Sequence, residues 1–144
     1  MKRNKVLIFA IVVVMMATSL IFSSCTATIE PIKVTLIIQA GEEEVINVTM
    51  PIAVKEPTIM ALVNEAAMVY ELNITYNENG DSVQDIEEYK FRTDADTGIS
   101  YFWEYLIDGV LPENATGGKA NAQEIKDGMV ITYRYSTYDP SSSK

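Results

Sequence analysis

Apolar and polar residues alternate along much of the chain, which is the period of half-buried β-strands. In the stretches 33–39 and 44–50, every second residue is large and apolar: Val34, Leu36, Ile38, Ile46, Val48 and Met50. Between the two stretches, the segment AGEEE contains Gly41, which can take the positive φ that a tight turn needs. The pattern therefore predicts an opening β-hairpin.

The period changes to that of a helix after Pro57. Thr58 is a residue type that caps helix N-termini well, and IMALVNEAAMVYEL follows it. One stripe of this helix is apolar or aromatic: Ile59, Leu62, Val63, Ala66 and Tyr70. We expect this stripe to cover a sheet rather than to bind a cofactor.

Short strands are predicted for the remainder of the chain. They cover residues 72–77, the DIEEYKFRT segment with Tyr89 and Phe91, an aromatic strand around Trp103, and a closing strand from Val130 to Tyr135; a glycine- and asparagine-rich loop spans 112–122. One helix and several strands define an α+β domain. Among the possible plans we favour a β-grasp-like one, in which an opening hairpin and one helix pack on a mixed sheet, and the opening and closing strands are both central.

The segment YFWEYLIDG, residues 101–109, contains the only tryptophan. Alternation places Tyr101, Trp103 and Tyr105 on one face of a strand and Phe102 on the other. Large apolar groups on both faces predict a central strand, covered on one side by the helix and on the other by a loop, a partner or a ligand. Exposure of the Trp103 ring distinguishes two roles, because a ligand platform leaves the ring partly exposed and a structural core buries it.

The first 25 residues have the layout of an export signal. Lys2, Arg3 and Lys5 precede a long apolar run, and FSSC follows it, ending at the only cysteine, Cys25. The FSSC segment resembles a bacterial lipobox, which implies cleavage and a lipid on Cys25 that holds the chain on the membrane. The alternative is an uncleaved transmembrane anchor of minimal length. Either arrangement places the remaining residues outside the cytoplasm, at the cell membrane or cell surface.

Four regions follow along the chain: a signal peptide at 1–25, a tether at 26–31, the β-grasp-like domain at 32–139 and a flexible tail at 140–144. The part after the signal keeps 8 of the 11 basic residues and all 20 acidic ones, a formal net charge of −12. Such a charge repels phosphate backbones, so no nucleic-acid partner is expected.

The residue types needed for most catalysis are scarce. The chain has no histidine, and its single thiol is the predicted lipid-attachment site. We therefore expect no catalytic residues, no metal site and no covalently bound cofactor. DADTG, starting at Asp94, begins like a calcium loop, but its glycine is fifth and its twelfth position is Tyr105, so a solvated turn is the better interpretation.

Residues 32–138 resemble the transcobalamin-like C-terminal domain, the β-grasp module also known as domain of unknown function 4430. The resemblance rests on YFWEYLIDG at 101–109, on IKDGMVITYRYSTY at 125–138, and on the early helix that contains TIMALVNEAAM. It implies cobalamin or another corrinoid as ligand, contacted by Tyr101, Phe102, Trp103 and Tyr105.

The resemblance also bears on partners, since in the vitamin carriers a separate helical domain holds the other side of the ligand. A lone small domain would bind weakly, form a dimer around the ligand or act with a second surface protein, and we favour the last of these. The other hypothesis is a protein–protein interaction or adhesion module of the same fold without a corrinoid role, because a fold alone does not define function.

Overall fold

The computed structural model describes residues 29–113 and 120–143. The predicted signal peptide, with Cys25, lies outside these residues, and so do residues 114–119 of the predicted loop at 112–122. One helix, α1, spans Ile59–Tyr70. The strands are β1 Ile32–Ala40, β2 Glu43–Ile52, β3 Ile74–Tyr76, β4 Val83–Ile86, β5 Tyr89–Lys90, β6 Arg92–Thr93, β7 Ser100–Ile107 and β8 Val130–Tyr138.

The main sheet has five strands in the order β2-β1-β8-β7-β6. β1 pairs with β2 antiparallel and with β8 in parallel, and β7 pairs antiparallel with β8. The fold is therefore α+β, with an opening hairpin, one helix and a mixed sheet, as predicted. The opening and closing strands both have neighbours on each side, as the β-grasp-like plan requires.

The opening hairpin follows from the alternation of its residues. Val34, Leu36 and Ile38 of β1 are fully buried, and the turn between β1 and β2 contains Gly41 at φ +65°. A side chain at this position would be strained, so the glycine permits the turn. The helix packs against the hairpin, which places the core between α1 and the main sheet.

Thr58 caps the N-terminus of the helix and Glu71 caps its C-terminus. The Thr58 hydroxyl accepts a hydrogen bond from the Ala61 amide at 3.2 Å, and Glu71 ends the helix in the left-handed region at φ 55°. Ile59, Leu62, Val63 and Ala66 are fully buried, whereas Tyr70, the last helical residue, is 41% exposed. The apolar stripe is thus one turn shorter than predicted.

A second sheet, of three short strands in the order β3-β4-β5, lies beside β7. The sequence pattern predicted one strand over DIEEYKFRT, but the chain turns at Glu87, at φ 52°, and changes sheets between Lys90 and Arg92. β6 is only two residues long and pairs with Ser100 and Tyr101 alone. The aromatic strand β7 nevertheless lies between β8 and β6, and Trp103, Glu104 and Tyr105 on its two faces are buried, so the prediction of a central strand is confirmed.

No helix in the described part of the chain is both long and apolar enough to cross a membrane.

Candidate ligand-binding groove

The four aromatic residues predicted to contact a ligand have different environments. Trp103 is 4% exposed and Tyr105 is 3% exposed, whereas Tyr101 and Phe102 are partly exposed. By the exposure criterion above, the Trp103 ring belongs to the core. A direct contact between any of the four and a ligand stays a prediction.

Trp103 joins the second sheet to the main sheet. Its indole Nε1 donates a hydrogen bond to the Tyr89 carbonyl at 2.9 Å, and its ring meets the Tyr89 ring edge-on at 6.2 Å between centroids. The Tyr135 ring lies 5.1 Å from the same indole, and its hydroxyl donates to the Lys90 carbonyl at 2.6 Å. Two side-chain hydrogen bonds and edge-to-face packing therefore hold β5 over β7 and β8.

A groove of about 620 Å³ opens between β4 and the start of β7. This volume falls within the range of small-molecule sites. Ten residues line the groove: Asn77, Glu78, Ser82, Val83, Gln84, Phe91, Ser100, Phe102, Trp103 and Tyr138. Ser100, Phe102 and Trp103 all belong to β7, so the groove includes the first part of that strand.

The walls of the groove are aromatic and its polar groups are mostly neutral. Phe91 is 53% exposed and Tyr138 is 52% exposed, so both rings are available at its surface. Among the lining residues, only Glu78 has an ionisable side chain that is charged at neutral pH. Aromatic walls with few charges suit a ligand that is apolar in its body and neutral in its polar groups.

A tight turn joins Asn77 to Ser82, two of the residues that line the groove. The Asn77 side-chain oxygen accepts from the Asp81 amide at 3.0 Å, and the Asn77 amide nitrogen of the main chain donates to the Ser82 carbonyl at 3.0 Å. These bonds fix the segment before β4 and so position Ser82 in the groove lining.

Two tyrosines outside the groove lining have raised pKa values. The Tyr89 hydroxyl donates to a Glu43 carboxylate oxygen, and this hydrogen bond raises the pKa of Tyr89 to about 12. Burial raises the pKa of Tyr133, whose hydroxyl has no hydrogen-bond partner among the described residues. Because such an orphan hydroxyl is unfavourable, Tyr133 contributes through its ring rather than through its oxygen.

An ion pair that the sequence pattern did not reveal lies on the other face of the main sheet. Glu104 is 6% exposed, and its carboxylate accepts from Arg134 Nε at 3.0 Å and from the Ser136 hydroxyl. Glu104 and Arg134 are directly opposite each other in the β7–β8 register.

The DADTG segment forms a turn. The Asp94 carboxylate accepts from the main-chain nitrogens of Asp96 at 3.0 Å and Thr97 at 2.9 Å, and the Thr97 bonds hold the pKa of Asp94 below its usual value. In the part of the chain that the structure describes, no group of three or more His, Cys, Asp or Glu residues could hold a metal ion.

Sequence reasoning identified Phe102 and Trp103 but missed most of the groove. Phe91, Val83, Gln84 and Tyr138 come from three separate segments, and only the fold brings them together. Phe91 carried a usable signal, because it alternates with charged residues in a segment that also contains Tyr89.

Comparison with solved structures supports the fold. Haptocorrin, solved in complex with Cbi, matches with a TM-score of 0.59 and 13% identity, and the match covers 76% of this chain and 26% of haptocorrin. A candidate metal-binding protein from Ruminococcus gnavus matches with a TM-score of 0.47 and 10% identity, over 74% of this chain and 98% of that chain. No protein-family model and no curated protein matches the chain. The chain therefore shares a fold with about a quarter of haptocorrin.

Proposed function

We propose that this protein is a non-enzymatic accessory lipoprotein, anchored through Cys25 outside the cytoplasm, that binds a corrinoid in the groove. The observation that carries the proposal is an aromatic groove with neutral polar groups on a fold shared with haptocorrin, which was solved in complex with Cbi. A corrinoid is a wide macrocycle with an apolar rim and neutral amide arms, so its chemistry matches such walls.

The position of the ligand surface differs from the one that the aromatic strand suggested. Because Trp103 is buried, the exposed rings of Phe91 and Tyr138, together with Phe102, provide the flat contacts. Ser82 and Gln84 in the groove lining are suited to hydrogen bonds with amide arms. One domain covers only part of a corrinoid, so a second surface protein or a second copy completes the site.

Calorimetric titration of the full-length chain in detergent with cobinamide and with cobalamin tests this proposal. We expect saturable binding, and Phe102→Ala should weaken it roughly tenfold, which corresponds to about 1.4 kcal/mol. Leu106→Ala is the matched control, because Leu106 lies on the same strand and the same face but does not line the groove. Trp103→Ala is unsuitable, because removing a buried aromatic ring costs about 3–5 kcal/mol of folding stability.

Absence of heat with a folded chain at high ligand concentration would reject corrinoid binding. The second candidate function, a protein-interaction module, would then be preferred. The burial of Trp103 favours that alternative, because the indole is used for packing rather than for display.

A further inference from the structure

Four chain segments meet at one end of the main sheet, the end at which β1 begins. β2 ends there, because it is antiparallel to β1. β8 begins there, because it is parallel to β1, and the Gly128 amide before it donates to the Lys33 carbonyl at 2.8 Å. β7 ends there too, since the Asp108 amide donates to the Val130 carbonyl at 2.8 Å. We call this surface the tether end; it consists of residues 29–33, 53–56, 108–111 and 126–128.

Apolar side chains are exposed at the tether end. Among the residues that the structure describes, four of the nine exposed large apolar or aromatic side chains lie here: Ile29, Val54, Val110 and Leu111. Val110 is 68% exposed. The strand order β2-β1-β8-β7 spreads these side chains over about 14 Å, the width of four adjacent strands. Exposed apolar groups gathered in one region are typical of an interaction surface.

Lysines accompany these apolar groups. Lys33, Lys55 and Lys126 are exposed at the tether end, and they are three of the six basic residues in the described part of the chain. A lysine can lay its aliphatic stem along an apolar surface while its ammonium group stays in the polar layer above. Carboxylates such as those of Glu56 and Asp127 lie at the same end, so apolar contact rather than net charge would supply most of the attachment.

The length of the chain before the tether end identifies what covers it. Cys25, the predicted lipid-attachment site, precedes Ile29 by four residues, which span at most about 14 Å when extended. The turn at the other end of the opening hairpin contains Gly41, about 30 Å from Ile32 along β1. A lipid on Cys25, or a membrane span before it, therefore brings the tether end to the bilayer first.

We propose that the tether end lies on the lipid surface, with Val54, Val110 and Leu111 in the headgroup layer and the three lysines beside lipid phosphates. This inference rests on the anchoring part of the proposed function and not on corrinoid binding. Ser100 and Tyr138, which line the groove, lie opposite each other at the far end of β7 and β8. Docking of the tether end therefore holds this part of the groove away from the bilayer, where a ligand or a second surface protein can reach it.

Paramagnetic relaxation caused by a gadolinium-labelled lipid tests this orientation. The full-length chain is placed in nanodiscs of phosphatidylcholine and phosphatidylglycerol, and amide relaxation is measured by NMR with and without the labelled lipid. The enhancement at the amides of Val54, Val110 and Gly128 should be at least about fivefold larger than at Gly41, which lies about 30 Å further along the sheet. Equal enhancements at the two ends of the sheet would overturn the proposal.

A matched pair of variants separates docking from tethering alone. Val110→Ser with Leu111→Ser removes two exposed apolar groups from the tether end and should reduce the enhancement at Gly128 at least about threefold. Met68→Ser with Val69→Ser removes two similarly exposed groups from the last turn of α1 and should leave the enhancement unchanged. An unchanged enhancement in the first double variant would show that the tether alone orients the domain, and would overturn the proposal.

Flotation with vesicles of the same lipids distinguishes failure of the anchor from failure of the orientation. We expect the full-length chain to float with the vesicles. A chain that stays in solution would reject the anchor and with it the orientation, whereas flotation with equal enhancements would reject the orientation alone. An enhancement at Val110 that falls as the protein-to-lipid ratio rises would identify a second copy of this chain as the occupant, and would also overturn the proposal.

Discussion

Individual residues show how burial and polarity are balanced beside the groove. Trp103 and Tyr133 are both almost fully buried, but within residues 29–113 and 120–143 only the polar atom of Trp103 has a hydrogen-bond partner. The sequence placed Trp103 and Tyr133 in strands but left open whether the Trp103 ring is buried or exposed. It could not predict which polar atom finds a partner, because the acceptor for Trp103 is the carbonyl of Tyr89, in a different sheet.

This difference predicts opposite effects of removing the two polar atoms. Tyr133→Phe should leave the free energy of unfolding unchanged or raise it by up to about 1 kcal/mol, because it removes a buried hydroxyl that no described residue hydrogen-bonds. Trp103→Phe should lower it by roughly 1–3 kcal/mol, because it removes both a satisfied hydrogen bond and ring volume. Urea unfolding of both variants measures the comparison. A loss above about 1 kcal/mol in Tyr133→Phe would indicate a buried water bound to the hydroxyl.

At the level of elements, local sequence decided most of the outcome. The hairpin, the helix and its N-cap follow from periodicity and from Gly41 and Thr58, because these depend on neighbours within a few residues. The segment of residues 85–93, which begins at the end of β4, was predicted less well. DIEEYKFRT has the alternation of one strand, but the turn at Glu87 and the docking of Tyr89 onto Trp103 divide it into three.

The helix cap gives a direct test of local control. Thr58→Ala removes the acceptor of the Ala61 amide and should lower the free energy of unfolding by about 1 kcal/mol. Thr58→Ser keeps the hydroxyl, so it should lower the free energy of unfolding by only a small part of that amount. Urea unfolding monitored by far-UV circular dichroism measures both variants, and an equal loss in the two would show that the hydroxyl is not the cause.

For the whole molecule, the closing strand decides whether the sheet exists. β8 lies between β1 and β7 and links residues from the two ends of the described chain, with Leu36 opposite Ile131 and Tyr105 opposite Tyr133. All three strands place buried apolar or aromatic side chains in the same core. Stability therefore depends on pairing across most of the sequence.

Truncation tests this dependence. Ending the chain after Met129 removes β8 and should abolish the folded state, leaving an amide NMR spectrum without dispersion. Ending it after Asp139 removes only residues 140–144, which include the short 3-10 helix Pro140–Ser143, and should leave the dispersion intact. A dispersed spectrum in the shorter chain would show that β1, β2 and α1 form a stable unit without the closing strand.

The sequence by itself determined the α+β composition, the hairpin with its buried face, and the capped helix, because these features follow from periodicity and local turn chemistry. Tertiary structure alone decided that Trp103 is buried and that Phe91 and Tyr138 join Phe102 in a groove. The physical reason is that strand order and sheet contacts are set between residues far apart in the chain, where no local pattern records which strand becomes the neighbour.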